Sequence, residues 1–449
     1  MSNISYGSDK PSHIRLPFHY SWIIISILAT VQIFGSSISM AAGIMVPPLN
    51  DPNGDFGWGV GTIGIVLSSY YLFGAIYAPI TGWLGDRYGT RSMLIAAALM
   101  YLISMNLLAR VTEIWQFFIF FGMLLSLTQS LAMVPLMAAV GGWFRRRLGL
   151  GVGILWAAGG AGTAVMAPSI GYFIDKVGWP TTFMGIGIIG FLAMIILLPL
   201  MRNKPADIGI LPYGASADDP PPILLAKPVE RLRQKVFVSH TRKTRPFWNL
   251  PVIHALGCAG HGVILIYIIP LAFERGVFSS LSSAGLILTI IALVSVISRF
   301  ITPILAEKYG TRKMMAASLS IQGATVFMLF FAQDPWVFYL FATLFGLGFG
   351  GEWTGYLVIN RQYYGEGPMG TIYGVQQTGA LIGHAVATSW AGLIIYTTGS
   401  FTTVLILAIA FNIGGLIFIA MLNDTSHVLI PDWEESLPPD AQITKLQSQ

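Results

Sequence analysis

The amino-acid sequence predicts an all-α membrane protein, with twelve transmembrane helices in two parallel six-helix repeats. Three observations predict it: a scarcity of charge, a series of long apolar runs, and an internal repeat. Of the 449 residues, 54% are hydrophobic and 10% charged, and the mean hydropathy is +0.69. A soluble domain carries about 25% charged residues. A chain this long with so little charge cannot cover a water-facing surface, so lipid must be its solvent. Glycine is frequent, at 50 residues, as expected where spanning helices pack closely.

A helix needs roughly 20 apolar residues to cross a bilayer. Twelve such runs are read, near 22–46, 61–84, 92–109, 114–140, 148–174, 182–201, 250–272, 282–305, 313–332, 336–359, 370–396 and 401–421. The first is too long for a signal-peptide core and is expected to be retained. The runs are continuous and long, not short and alternating, which excludes a β-barrel. They divide the chain into a six-helix bundle over 1–201, a linker loop over 202–249, a second bundle over 250–425 and a tail over 426–449.

Lys and Arg set the orientation. With the N-terminus inside, the inner segments hold Lys10, Arg15, Arg87, Arg91, Arg145 to Arg147, Lys308, Arg312, Lys313, Arg361 and Lys445, and the middle loop adds nine more. Outside there are only Arg110, Lys176 and Arg275. Both termini and the middle loop are therefore expected in the cytoplasm, in a plasma or inner membrane. This bias explains a pI near 9.2 without a nucleic-acid partner. The middle loop, rich in Pro and charge, reads as a solvated linker.

Tyr88 and Tyr309 both open on the tetrapeptide YGTR, 221 positions apart. The register persists: Asp86 matches Glu307, Trp115 matches Trp336, Phe117 matches Phe338. Gly149, Gly153, Gly162, Gly171 and Gly178 match Gly370, Gly374, Gly383, Gly392 and Gly399. Spans 1–6 and 7–12 are thus parallel copies, and such a duplication places a binding site near the midplane between the halves. The glycine runs let helix backbones approach and slide.

The segment Gly82-Trp-Leu-Gly-Asp86-Arg87-Tyr-Gly89-Thr-Arg91 resembles the signature loop of the major facilitator superfamily. Its second copy is Leu305-Ala-Glu307-Lys308-Tyr-Gly310-Thr-Arg312. The resemblance covers nearly the whole chain. It implies alternating access, with Asp86, Arg87, Arg91, Glu307 and Arg312 at the cytoplasmic gate. A physical reason supports that role: a carboxylate at a helix end holds a neighbouring helix N-terminus or an Arg, and releases it on opening.

Finer features resemble the monocarboxylate transporters and their relatives, the oxalate/formate antiporters. These are Pro47-Pro48-Leu49, Phe56-Gly57-Trp58, Gly142-Trp-Phe144-Arg145-Arg-Arg147-Leu-Gly149, and Arg202-Asn-Lys-Pro205-Ala-Asp207. That group keeps an arginine on span 8, here Arg299. It implies secondary active transport of a small organic anion, as proton-coupled symport of a monocarboxylate. Anion exchange of the oxalate/formate kind and a transporter-like substrate sensor are the alternatives. The sequence departs from the group in three places. Ser295 stands where monocarboxylate transporters have an Asp. Met40 stands near their span-1 Lys. His384 is the basic residue on span 11, where the oxalate antiporter has a Lys.

Two full charges lie within spans, Arg299 and Glu352. A central Arg costs about 2.5–3.5 kcal/mol even on a lenient insertion scale, so each calls for a partner or a function. Arg299 is expected to bind the substrate carboxylate and Glu352 to couple the proton, at similar depth. His261 and His384 fall near mid-membrane, and each either meets a carboxylate or packs as a neutral ring. His254, nearer the cytoplasmic end, reads as structural. Tyr70, Tyr71 and Gln129 are candidate substrate contacts, with core packing as the alternative role. The single cysteine, Cys258, allows no intrachain disulfide, and no thiol–metal cluster is expected. The sequence shows no nucleotide-binding loop, metal-ligand cluster or soluble domain, so neither an enzyme nor a cofactor is expected. The expected partners are a small carboxylate, a proton and the bilayer, with no nucleic acid and no obligate protein partner evident.

Overall fold

The computed structural model describes residues 17–40, 45–216, 219, 225–279, 281–365 and 367–443. Lys10, Arg15 and Lys445 of the charge bias lie outside them. The described chain is helical almost throughout. Its spanning helices are α1 (Ser21–Met40), α2 (Val60–Tyr88), α3 (Thr90–Leu108) and α4 (Ile114–Trp143). The run Leu148–Leu197 holds two more, α5 (148–177) and α6 (179–197). Then come α7 (Arg245–Glu274), α8 (Leu281–Tyr309), α9 (Thr311–Val326), α10 (Pro335–Glu352, continuing as Gly355–Tyr364), α11 (Gly370–Thr398) and α12 (Phe401–Ala420).

Nine described helices are long and apolar enough to cross a membrane, with α5 and α6 counted as one. Splitting that pair, and adding the shorter apolar stretch Ser21–Gly35 and the interrupted α10, gives the twelve spans that the sequence predicts. The α5–α6 turn is made at Gly178, whose φ of 78° and ψ of 169° suit a residue without a Cβ. Pro180 follows and cannot donate a backbone bond. The interruption of α10 falls on Trp353 and Thr354, directly after Glu352.

The repeat is visible in the geometry. Gly89 and Gly310, 221 positions apart, both adopt positive φ between consecutive helices, at 83° and 97°. The two halves meet along two pairs, α2 with α11 and α5 with α8, and glycines set both approaches. A Cβ added to Gly370 would lie 2.7 Å from the Gly82 carbonyl, and one on Gly153 would lie 2.6 Å from that of Phe300. Gly374 faces Ala78 and Gly149 faces Pro303 just as tightly. Under the 221 offset, Gly370 with Gly82 and Gly149 with Pro303 are the same contact made twice.

The middle loop differs from a plain solvated linker. Residues Lys227–Thr241 form a helix whose Gln234, Phe237, Val238 and Thr241 are buried. Phe237 packs on Trp433 of the tail, with ring centroids 5.0 Å apart. Arg233 pairs with Glu434 and donates to the Ala441 carbonyl. Gln234 reaches Thr371 at 3.4 Å, so loop and tail form one brace under the start of α11. The sequence hides this because the helix is short, five of its 15 residues are charged, and Phe237 finds its cover far along the chain, beside Gly367 and on Trp433 of the tail.

Candidate functional site

The first functional region is the end of the bundle where α11 begins. Asp86, on the last turn of α2, accepts from the Gly370 N–H at 2.9 Å and from the Thr371 N–H at 2.7 Å. The Thr371 hydroxyl also donates to it, at 2.8 Å. A carboxylate thus caps the positive end of a helix in the opposite half, where orphan amides need an acceptor. Glu307, its repeat mate, faces the Leu148 and Gly149 amides at the start of α5.

The other gate candidates lie differently. Arg312 donates to the Ile419 and Ala420 carbonyls, at 3.2 and 2.7 Å, and caps α12 within its own half. Arg87 stacks on Trp83 and Tyr88, 5.1 and 5.5 Å from their ring centroids. Arg91 receives its local support through the backbone, its N–H donating to Asn203 at 2.9 Å. The cross-half contacts are therefore made by the two carboxylates. Asp86→Asn keeps the shape but loses the charge, which is worth about 0.3–2 kcal/mol at a helix terminus. It should shift the carrier toward the state open at this end. Alkylation of a cysteine placed in the pathway, on a Cys258→Ser background, should speed up by roughly twofold to 30-fold. An unchanged rate would mean that Asp86 is not a latch.

The second region lies midway along the bundle, on α7, α8, α10 and α11. Glu352 is buried, accepts from the Tyr356 hydroxyl at 2.8 Å, and places Oε2 3.8 Å from His261 Nδ1. Glycine makes the space: a Cβ on Gly257 would meet the Glu352 carboxylate. The His261 ring lies 4.8 Å from that of Phe349 and 5.0 Å from that of His384. Arg299, 3% exposed, lays its guanidinium over Phe349 at 5.2 Å. Phe349 thus contacts both the arginine and His261. Among the described residues no carboxylate comes within salt-bridge reach of Arg299, and its Nε has no hydrogen-bond partner. Arg299 and Glu352 do not pair in this conformation.

The opposite half closes over this group with aromatic rings. Tyr71 of α2 stacks on His384 at 5.2 Å. Trp156 of α5 packs edge-on against Trp353 at 5.3 Å, and the Nη1 of Arg299 lies beside Gly160. Of the sequence-derived candidates, Arg299, Glu352, His261, His384 and Tyr71 come together. Tyr70 packs between Phe121 and the edge of Tyr71, each with ring centroids at 5.4 Å. Gln129 faces α1 near Gly35, with a buried Oε1 that has no partner.

Sequence reasoning missed Phe349 and Trp353, which read as ordinary apolar span residues. It also missed that His254 and Cys258 line the same region. Their signal was the i, i+4, i+7 spacing of His254, Cys258 and His261, which puts all three on one stripe of α7. The expectation of no thiol–metal cluster is revised here, because the fold brings imidazoles and a carboxylate from distant positions to the lone thiol. The donor atoms of Cys258, His261 and His384 lie within 4.8 Å of one another, as do those of His254, Cys258 and Glu352.

Comparisons with known proteins agree with this architecture. A family profile described as Major Facilitator Superfamily matches residues 25–278 and again 262–439. Monocarboxylate transporter 2 of Homo sapiens is 23% identical over 293 residues, which is 63% of this chain and 61% of that protein. The chain thus spans less than two thirds of that relative's length. Multidrug resistance protein MdtG of Dickeya zeae (strain Ech586) is 24% identical over 340 residues, covering 73% of this chain and 78% of that one. Among solved structures, the transporter FucP in its outward conformation superposes with a TM-score of 0.67, at 16% identity over 90% of this chain and 99% of that one. The proton:xylose symporter XylE, bound to 6-bromo-6-deoxy-D-glucose, superposes with a TM-score of 0.68, at 14% identity over 93% and 98%. With twelve spans in two repeats and a family match to each half, this chain is an integral membrane transporter that belongs to the major facilitator superfamily.

Proposed function

We propose that the protein carries a small aliphatic monocarboxylate, such as lactate or pyruvate, in symport with a proton. The observation that carries this reading is Arg299: a buried guanidinium between the halves, with no carboxylate among the described residues in salt-bridge reach. A guanidinium fork matches a carboxylate with two parallel hydrogen bonds. One such cation neutralises one carboxylate, which favours a monoanion over a dicarboxylate or a phosphate ester. The similarity to a human monocarboxylate transporter supports the same class.

Glu352 is the proton-coupling residue in this reading, with His261 beside it. An ionised Glu352 competes with the substrate for the field of Arg299, and a protonated one does not. Proton and anion then favour each other's binding, as linkage requires. Asp86 and Glu307 hold the cytoplasmic gate, on the side given by the Lys and Arg bias.

A thermal-shift screen of the purified carrier tests the substrate class. A ligand at about 100 times its Kd stabilises by roughly 2.7 kcal/mol. Monocarboxylates should raise the unfolding midpoint, and Arg299→Ala should abolish the rise. Stabilisation by oxalate or malonate alone would favour anion exchange, with His261 and His384 meeting the second carboxylate. Stabilisation by phosphate esters alone would remove the carboxylate class.

A further inference from the structure

We propose that this carrier binds a borderline divalent transition-metal ion, of the zinc class, between α7, α10 and α11. Cys258, His261 and His384 supply three ligands, and Glu352 stands in reach of a fourth position. The inference goes beyond the carboxylate reading and does not need it, because the donors bind the ion whatever the cargo.

The donor atoms of Cys258, His261 and His384 already lie within 4.8 Å of one another. Tetrahedral zinc, with bonds of about 2.0–2.3 Å, brings its ligands slightly closer than that. Rotamer changes of an ångström close the gap. Glu352 Oε2 is 3.8 Å from His261 Nδ1 and belongs to the second donor group, with His254 and the same thiol. Cys258, His254 and His261 are fully buried and Glu352 is 3% exposed. A thiol, imidazoles and a carboxylate in one place suit zinc, cobalt or nickel better than magnesium or calcium, which prefer oxygen.

Neither ring nitrogen of His254 or of His261 makes a hydrogen bond of good geometry, and Glu352 Oε2 makes none. The imidazoles only approach the backbone of Gln376 and Gly257. An unsatisfied buried polar atom is costly, and three of these five sit on His261 and Glu352, where an ion would meet them. Glycines keep the space open: the one at 257 admits Glu352, and a Cβ at 262 would lie 3.2 Å from His384 Nδ1. The cluster lies under the Tyr71–His384 and Trp156–Trp353 contacts between halves. Separating the halves opens the way to it.

Binding removes the thiol proton, which leaves to solvent as the metal–sulfur bond forms. Because the chain has one cysteine, a sulfur-to-metal charge-transfer band has one possible source. The experiment is a Co2+ titration of the full-length, tag-free carrier in nanodiscs, with no carboxylate present. The expected result is a near-ultraviolet charge-transfer band with intense tetrahedral visible bands, saturating at one Co2+ per chain. Excess Zn2+ should displace both. Cys258→Ser should abolish the charge-transfer band. His384→Ala should weaken Co2+ binding at least about tenfold, since even outer-shell partners of a metal cost 10–100-fold when removed. The metal-free unfolding midpoint of each variant reports folding. Zn2+ protection of the wild-type thiol from maleimide requires no variant at all. No charge-transfer band at saturating Co2+, binding that survives Cys258→Ser, or unprotected alkylation would each overturn the proposal. Failure of carboxylate binding would leave these readouts unchanged, and the two readings are thereby separable.

Discussion

Arg299→Lys should lower substrate uptake by about 10–100-fold at sub-saturating concentration, although the charge is retained. The guanidinium lies over Phe349 with a partnerless Nε and presents a planar fork. An ammonium is a point charge on a flexible stem and cannot reproduce two parallel bonds to a carboxylate. Hydrogen bonds to charged groups are worth about 1.5–3 kcal/mol each, and each 1.4 kcal/mol is tenfold. The loss of one such bond gives the stated range. The readout is uptake of labelled substrate by proteoliposomes containing equal amounts of monodisperse protein. Wild-type uptake by Arg299→Lys would remove Arg299 from the substrate site.

Glu352→Gln should separate movement of the substrate from its accumulation. For one proton per substrate, each pH unit across the membrane drives tenfold accumulation. The amide keeps the size of the side chain and mimics the protonated form. It should exchange labelled for unlabelled substrate, yet show an inside-to-outside ratio near one at any pH gradient. Its Oε1 still accepts from Tyr356, so the interruption of α10 should keep its shape. Tenfold accumulation per pH unit by Glu352→Gln would move the coupling to His261 and His384.

How much of this was legible in the sequence differs by element. The spans and the repeat were, because apolar length and a register of 221 are properties of the chain alone. Asp86 was legible through the same repeat, and its helix-capping partner followed from the physics of helix termini. Arg299 and Glu352 stood out because a charge in a lipid-facing run is costly. Their partners were not legible. A span apolar on every side carries no pattern that says which way a residue points, so Glu352 with His261, and Tyr71 with His384, emerged only with the packing. The interruption after Glu352 also escaped: Gly350, Gly351 and Gly355 flank it, but glycine is common in spanning helices for packing reasons alone. The loop helix with its tail brace pairs residues some 200 positions apart, beyond any local pattern.

The most direct measurement is uptake of radiolabelled lactate and pyruvate into proteoliposomes under an imposed pH gradient, with membrane voltage clamped by ionophore. Proton-coupled monocarboxylate symport predicts accumulation that rises about tenfold per inward pH unit and collapses with a protonophore. Uptake that ignores the pH gradient, needs a counter-anion such as oxalate inside, or fails to occur despite ligand binding would contradict it.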